Sequence, residues 1–251
     1  MGQRRLEGKV AIITGGAGGI GEATCERLAK AGAAVVVADI NIESARKIAD
    51  GICAGGDRAV AVQFDLLDTV SINDLVSVTM AEFGQIDVLH NNAVYNPPEA
   101  FNADGGFLEM DSTVWDNIFA GNVRAGMELV RSAAPHMIAR GKGGAIINSS
   151  SGASGHGQLT MSAYGASKGA LNSMTHYMAT QFAPYKIRCN TMILPAVLTK
   201  GLEALFTEEQ IEQFVSHTLM KEATRPADIA AVVEFLASDD AKMISGQLWK
   251  I

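Results

Sequence analysis

Tyr164 and Lys168 stand four residues apart in "YGASK". On a helix that spacing puts both side chains on one face. An ammonium beside a phenol favours the phenolate, so such a pair can accept and return a proton near neutral pH. Upstream, "NSSSG" carries Ser149, Ser150 and Ser151. A hydroxyl there can hold a reacting oxygen, and taken singly such serines are also ordinary turn residues. A second group lies near the start, in "VAIITGGAGGIGEA" from Val10 to Ala23. An apolar run ends at Thr14 and a burst of glycines follows. Where such a turn joins a strand to a helix, backbone N–H groups and the positive helix end face an anion, and the missing Cβ lets it come close. The spacing Gly15, Gly19, Gly21 differs from G-x-G-x-x-G, and no G-K-[ST] follows as in P-loop NTPases. The plain alternative is a turn that binds nothing. Asp39 closes the next apolar run, about twenty residues on. A carboxylate there accepts from both ribose hydroxyls of an adenosine and repels a 2′-phosphate, which points to NAD rather than NADP. Its alternative is an exposed aspartate opening a turn before Asn41. Asp65 closes the third run, where it either meets the adenine or caps a turn.

The elements that must carry these residues are legible as alternation. "KVAIIT" (Lys9 to Thr14), "AVVVAD" (Ala34 to Asp39), "AVAVQFD" (Ala59 to Asp65), "IDVLHN" (Ile86 to Asn91), "GAIINS" (Gly144 to Ser149) and "IRCNTMIL" (Ile187 to Leu194) read as strands. They are nearly continuous in apolar character, as strands buried on both faces are. Amphipathic stretches, Gly21 to Ala31, Ile42 to Ile52 and Ser71 to Phe83, separate them. Two longer helices are expected at about Thr113 to Ala139 and Ala163 to Phe182. This rhythm builds a parallel sheet covered by helices on both sides. No linker, repeat or charge block divides the chain, so a single domain over 1–251 is expected. The helical segment after Thr199, about 199–222, breaks the rhythm and reads as a lid or substrate loop.

Composition narrows the partners. The 251 residues are 48% hydrophobic and carry a net charge of −7, with no broad basic face for nucleic acid. No apolar run approaches the ~20 residues that span a membrane, and "MGQRRLEGK" opens no signal peptide. Cys25, Cys53 and Cys189 form no zinc pattern and no disulfide framework. They read as buried, reduced thiols of a cytoplasmic protein, and no metal site is expected.

Taken together, the motifs resemble the short-chain dehydrogenase/reductase family, in its single-domain branch, from about Lys9 to Gln247. "TGGAGGIG" matches T-G-x-x-x-G-x-G, "NNAV" (Asn91 to Val94) resembles N-N-A-G, "YGASK" matches Y-x-x-x-K, and "RPADIAAVVEFLASDDAKMISGQ" looks like the family's last helix and strand. The resemblance implies an α/β, doubly wound parallel sheet of Rossmann type, with NAD across the carboxyl ends of its strands. It implies reversible hydride transfer between a secondary alcohol or ketone and the nicotinamide. The catalytic residues would be Tyr164 as general acid/base, Lys168 on the nicotinamide ribose and lowering the tyrosine pKa, Ser151 on the substrate oxygen (chosen by its spacing to Tyr164), and Asn122 supporting a water in the proton relay. Gly15, Gly19, Ile20, Gly21, Asp39, Asp65, Leu66, Asn92, Tyr164, Lys168 and Thr199 would hold the cofactor. A homotetramer or dimer is implied. Leu198, Leu202, Leu205, Phe206, Phe214 and Met220 would roof an apolar pocket or else pack on the core, with Tyr95, His156 and Gln158 adding polar contacts. An apolar cyclic, aromatic or steroid-like alcohol is the expected substrate. The alternatives are an NADP-linked carbonyl or enoyl reductase, and a catalytically silent NAD-binding regulator. Three departures stand out. Val94 replaces a glycine or small residue, Leu194-Pro195 replaces Pro-Gly, and the chain stops at Ile251, short of the family's usual ending, which would weaken the last strand or a subunit contact.

Overall fold

Seven parallel strands form one sheet in the order β3-β2-β1-β4-β5-β6-β7. They are β1 (Val10–Thr14), β2 (Ala34–Asp39), β3 (Ala59–Gln63), β4 (Val88–Asn91), β5 (Gly144–Ser151), β6 (Ile187–Leu194) and β7 (Leu248–Lys250). The computed structural model describes residues 4–216 and 218–251, without the side chains of Pro98, Phe101, Leu205 and Phe214. Strand order reverses between β1 and β4, whose registers run Ala11 to Val88 and Ile13 to His90. A crevice opens at the carboxyl ends of strands at such a point, and both the glycine burst after β1 and "NNAV" at the end of β4 lie on it.

The apolar strands are sandwiched as their composition demands. On one face, α1 (Gly19–Lys30), α2 (Ile42–Ala54) and α10 (Pro226–Ala237) pack Leu28, Ile52, Ile229 and Val233 against Ile13, Val35 and Val37. On the other, α3 (Thr69–Phe83), α6 (Ala125–Arg140) and α7 (Ser162–Phe182) pack Leu75, Leu129, Met137 and Met178 against Ile12, Val36 and Ile146. Between β4 and α6 lie α4 (Pro98–Ala103) and α5 (Ser112–Phe119); between β6 and α10 lie α8 (Lys200–Leu205) and α9 (Glu208–Ser216).

The structure adjusts several expected boundaries. β3 ends at Gln63, so Asp65 sits beyond it in a turn, where its Oδ1 accepts from the Leu67 N–H at 2.8 Å. β5 runs on to Ser151 because all eight of its residues pair with β6. The helix expected from Thr113 to Ala139 is interrupted by a π-helical turn over Ala120–Arg124. The segment after Thr199 is two helices, each with its own start. Thr199 Oγ1 caps α8 through the Leu202 N–H, and Thr207 and Gln210 bond reciprocally ahead of α9. Cys25 and Cys189 are buried as expected, whereas Cys53 is exposed. Among the described residues no helix is long and apolar enough to cross a membrane.

Candidate active site

The glycine turn is built for close approach. Gly15 has φ +63, and a Cβ on it would meet Ala93 Cα at 3.0 Å. A Cβ on Gly21 would sit 2.0 Å from the Gly15 carbonyl oxygen, and one on Gly19 would sit 2.9 Å from Thr199 Cγ2. Gly18 precedes α1 without a side-chain cap, so the first turn of that helix offers its N–H groups outward. Thr14 ties the turn to β4. Its Oγ1 accepts from the Asn92 and Ala93 N–H groups and donates to the His90 carbonyl. Asn92 Nδ2 donates to the Thr14 carbonyl at 3.0 Å. Asp39, at the end of β2, accepts from Ala17 N–H at 2.9 Å through one oxygen and from Asn41 N–H at 2.9 Å through the other. A groove of ≈ 570 Å³ runs from this turn past Asp39, Asp65 and Leu66 to Asn92 and Thr199, with Gly15, Gly19, Ile20 and Gly21 along it. A turn that only glycines can close, with a helix N-terminus beside it and a carboxylate along the same groove, fits a dinucleotide.

Ile20, Asn92, Val94 and Thr199 also line a second cavity of ≈ 510 Å³, and that cavity holds Ser151, Tyr164 and Lys168. β5 delivers the serines and α7 delivers the tyrosine and lysine, as the four-residue spacing requires. Of the three serines, Ser149 bonds His90 Nε2 at 3.0 Å and Ser150 donates to the Lys168 carbonyl at 3.3 Å. Ser151 is the one that lines the cavity with Tyr164 and Lys168, and its side chain favours the Tyr164 phenolate. Lys168 is buried, donates to the Ser149 carbonyl at 3.0 Å, and sits 5.7 Å from the centroid of the Tyr164 ring. Burial lowers Lys168 to about 8. Burial also raises the Tyr164 phenol above its ordinary value, against a smaller lowering by the Ser151 side chain. The Lys168 ammonium lies over the Tyr164 ring and donates to a backbone carbonyl.

Asn122 stands outside that cavity, in the π-helical turn. Its Oδ1 accepts from the Tyr95 N–H at 2.7 Å and its Nδ2 donates to Ser167 Oγ at 3.3 Å. Behind the sheet end, a cavity of ≈ 20 Å³ joins Asn122 to Lys168, room for about one water. Within the turn, a Cβ on Gly121 would sit 2.3 Å from Tyr95 Cβ, so this position packs against the loop after β4 only as glycine. Tyr95 lines the cofactor groove and not the Tyr164 cavity. His156, Gln158, Pro195, Ala196 and Leu202 line both the Tyr164 cavity and a neighbouring one of ≈ 640 Å³, which adds Leu198, Ile211, Val215 and Met220. Phe206 lines the Tyr164 cavity, and the side chains of Leu205 and Phe214 lie outside the described residues. Pro195 and Leu194, which replace Pro-Gly, and Val94 all line the Tyr164 cavity.

Two polar residues escaped the sequence reading. His90 is fully buried, and burial lowers it to about 3, so it stays neutral beside Ser149. Asp104 is buried at 2% exposure against the start of α7. An aspartate in the loop-like "NADGG" carries no local signal of that role.

A crevice at the switch point, a glycine cradle and a Ser–Tyr–Lys cluster at its end define a nucleotide-dependent oxidoreductase of the Rossmann type. The chain belongs to the short-chain dehydrogenase/reductase family, and the model of short chain dehydrogenases matches residues 9–210. It is 38% identical to a probable short-chain type dehydrogenase/reductase of Bradyrhizobium diazoefficiens, over 97% of this chain and 86% of that one. It is 36% identical to a 7alpha-hydroxysteroid dehydrogenase of Bacteroides fragilis, over 97% and 92%. Among solved structures it superposes on a 7 alpha-hydroxysteroid dehydrogenase complexed with NADH and 7-oxo glycochenodeoxycholic acid, with a TM-score of 0.91, 33% identity and coverage of 99% and 94%. A short-chain type dehydrogenase/reductase from Mycobacterium marinum gives a TM-score of 0.90 at 26% identity, covering 99% and 95%. The protein is thus an oxidoreductase that interconverts alcohol and ketone with a nicotinamide cofactor.

Proposed function

We propose that this chain is an NAD(H)-dependent dehydrogenase of a secondary alcohol on an apolar, ring-fused skeleton of steroid type. The observation that carries the reading is that Ser151, Tyr164 and a buried Lys168 line one cavity, at the junction of the nucleotide groove and a long, largely apolar cleft. The two joined cavities suit a rigid apolar body better than a polyol, whose hydroxyls would meet few partners there. The hydroxysteroid relatives support the same substrate class. Asp39 supports NAD over NADP, since its carboxylate on the groove faces the place where a 2′-phosphate would add negative charge.

When bound, the nicotinamide supplies the hydride acceptor or donor and, oxidised, a positive charge. The chain manages position and the proton. Ser151 donates to the substrate oxygen and holds it beside Tyr164. Tyr164 Oη takes the hydroxyl proton in oxidation and returns it in reduction. Lys168 binds the nicotinamide ribose, and with Asn122 and the small cavity between them it leads the proton onward. Gly15, Gly19, Ile20 and Gly21 hold the diphosphate, Asp39 the adenosine ribose, Asp65 and Leu66 the adenine, and Asn92 and Thr199 the nicotinamide end. The 199–222 segment covers the substrate within one domain over 1–251.

The test is a panel of hydroxysteroids, aromatic secondary alcohols and polyols with NAD and with NADP. Tyr164→Phe keeps cofactor binding and lowers turnover by about 10²–10⁴-fold. Near-normal turnover in that variant moves the proton transfer to another group.

A further inference from the structure

The catalytic helix has no cap of its own. Met161 precedes it in the left-handed region, with φ 63 and ψ 36, and its side chain accepts nothing. The first N–H groups of a helix lack partners within it, and here the second and third belong to Ala163 and Tyr164. Both are satisfied from about sixty residues upstream in the chain, by Asp104. Asp104 Oδ1 accepts from the Ala163 N–H at 2.9 Å and Oδ2 from the Tyr164 N–H at 2.8 Å. The Asp104 carbonyl accepts from the Met161 N–H at 2.6 Å, and the next carbonyl, of Gly105, accepts from Ser162 Oγ at 3.1 Å. The same stretch of chain is fastened at its other end, where Tyr95 N–H donates to Asn122. The segment between β4 and α5 therefore spans the site, tied to Asn122 at its start and to the Tyr164 turn at its end.

We propose that Asp104 is a positioning residue that acts through Tyr164, its buried carboxylate fixing the first turn of α7 so that the phenol meets Ser151 and the substrate oxygen in register. The proposal rests on Tyr164 being the acid/base. A carboxylate is required rather than any polar group, because two converging N–H donors need two acceptor oxygens. An amide of the same shape offers one oxygen and turns an NH2 against the other N–H. Asp104 faces the helix backbone, away from the nucleotide groove, so cofactor binding is independent of it.

The experiment compares Asp104→Asn and Asp104→Glu in the wild-type and Tyr164→Phe backgrounds, with kcat, KM and the NADH dissociation constant measured for each. Asp104→Asn lowers kcat by about ten- to a hundredfold, the scale of a misplaced reacting group, with KM and NADH affinity changed less than about threefold. Asp104→Glu, which keeps both acceptors, recovers a large part of kcat. On the Tyr164→Phe background Asp104→Asn costs nothing further, since the group it positions is gone. A kcat within twofold of wild type in Asp104→Asn overturns the proposal, as does an equal further loss on the Tyr164→Phe background. If Tyr164→Phe is itself active, the assignment of the acid/base fails instead, so the two failures are distinguishable. Should Asp104→Asn not fold, Ser162→Ala loosens the same fastening at one bond. A severalfold loss of kcat confined to the background that retains Tyr164 supports the proposal, and an unchanged kcat overturns it.

Discussion

Replacing Lys168 by methionine isolates the electrostatic state of the site. An ordinary lysine titrates at 10.5, and burial lowers this one to about 8. That gap corresponds to about 3 kcal/mol by which the folded protein disfavours the ammonium. The folded state binds fewer protons than the unfolded chain between those two values, so stability rises with pH across that window. The penalty is full below pH 8 and gone above pH 10.5. Methionine keeps most of the unbranched stem, removes the charge, and also removes the hydrogen bond to the Ser149 carbonyl. A neutral amine makes that bond too, so its loss, about 1–3 kcal/mol, is an offset almost independent of pH. The difference in unfolding free energy between wild type and Lys168→Met should therefore change by about 2 kcal/mol in favour of wild type between pH 8 and pH 9.5. It should stay constant between pH 6.5 and 7.5. Urea denaturation of the cofactor-free protein, at equal m-values, measures it. A difference that is flat over the whole range would mean that water reaches the ammonium, and burial would fail as the cause of the lowered Lys168 value.

Three other perturbations test separate parts of the reading. Asp39→Ala should weaken NAD binding and improve NADP binding, so that the ratio of the two dissociation constants, measured by nucleotide fluorescence titration, moves toward NADP; wild type that binds both equally refutes the role of the carboxylate. Gly21→Ala puts a methyl 2.0 Å from the Gly15 carbonyl oxygen, which is backbone and cannot swing aside. It should cost about 3 kcal/mol and lose cofactor binding, both read by denaturation with and without NADH. Asp87 is buried at 6% exposure, paired with Arg140, and accepts from the Val10 N–H at 2.9 Å. Asp87→Ala strands that guanidinium and should cost about 3–5 kcal/mol, with kcat of the remaining folded protein unchanged.

What the sequence disclosed and what it hid follow one physical division. The glycine cradle, the strand-end Asp39 and the Tyr164–Lys168 face are local, because each is a spacing within one turn or one strand end, and chain geometry alone converts spacing into placement. The sheet was legible for a related reason: strands such as "AVVVA" are buried on both faces, so their composition needs no partner to be read. The π-helical turn at Asn122 was hidden, since no residue type or spacing in "AGNVR" marks an extra residue in a helical turn. Asp104 was hidden because the helix expected from Ala163 has Ser162 before it as an ordinary cap. The structure opens the helix at Ser162 instead, with Met161 before it and no side chain there to receive the first N–H groups, and buried N–H groups without acceptors are rare. The missing local cap thus implies an acceptor brought in from elsewhere. Between β4 and α7 the aspartates are Asp104, Asp111 and Asp116, and the structure gives two of them other surroundings. Asp111 is spent capping α5 through the Thr113 N–H at 2.7 Å, and Asp116 lies within that helix. Asp104, in a loop between short helices, is the one free to reach across. A catalytic motif that begins on an uncapped helix is therefore a reason to look for a distant carboxylate, and the Tyr164 turn is where this chain uses one.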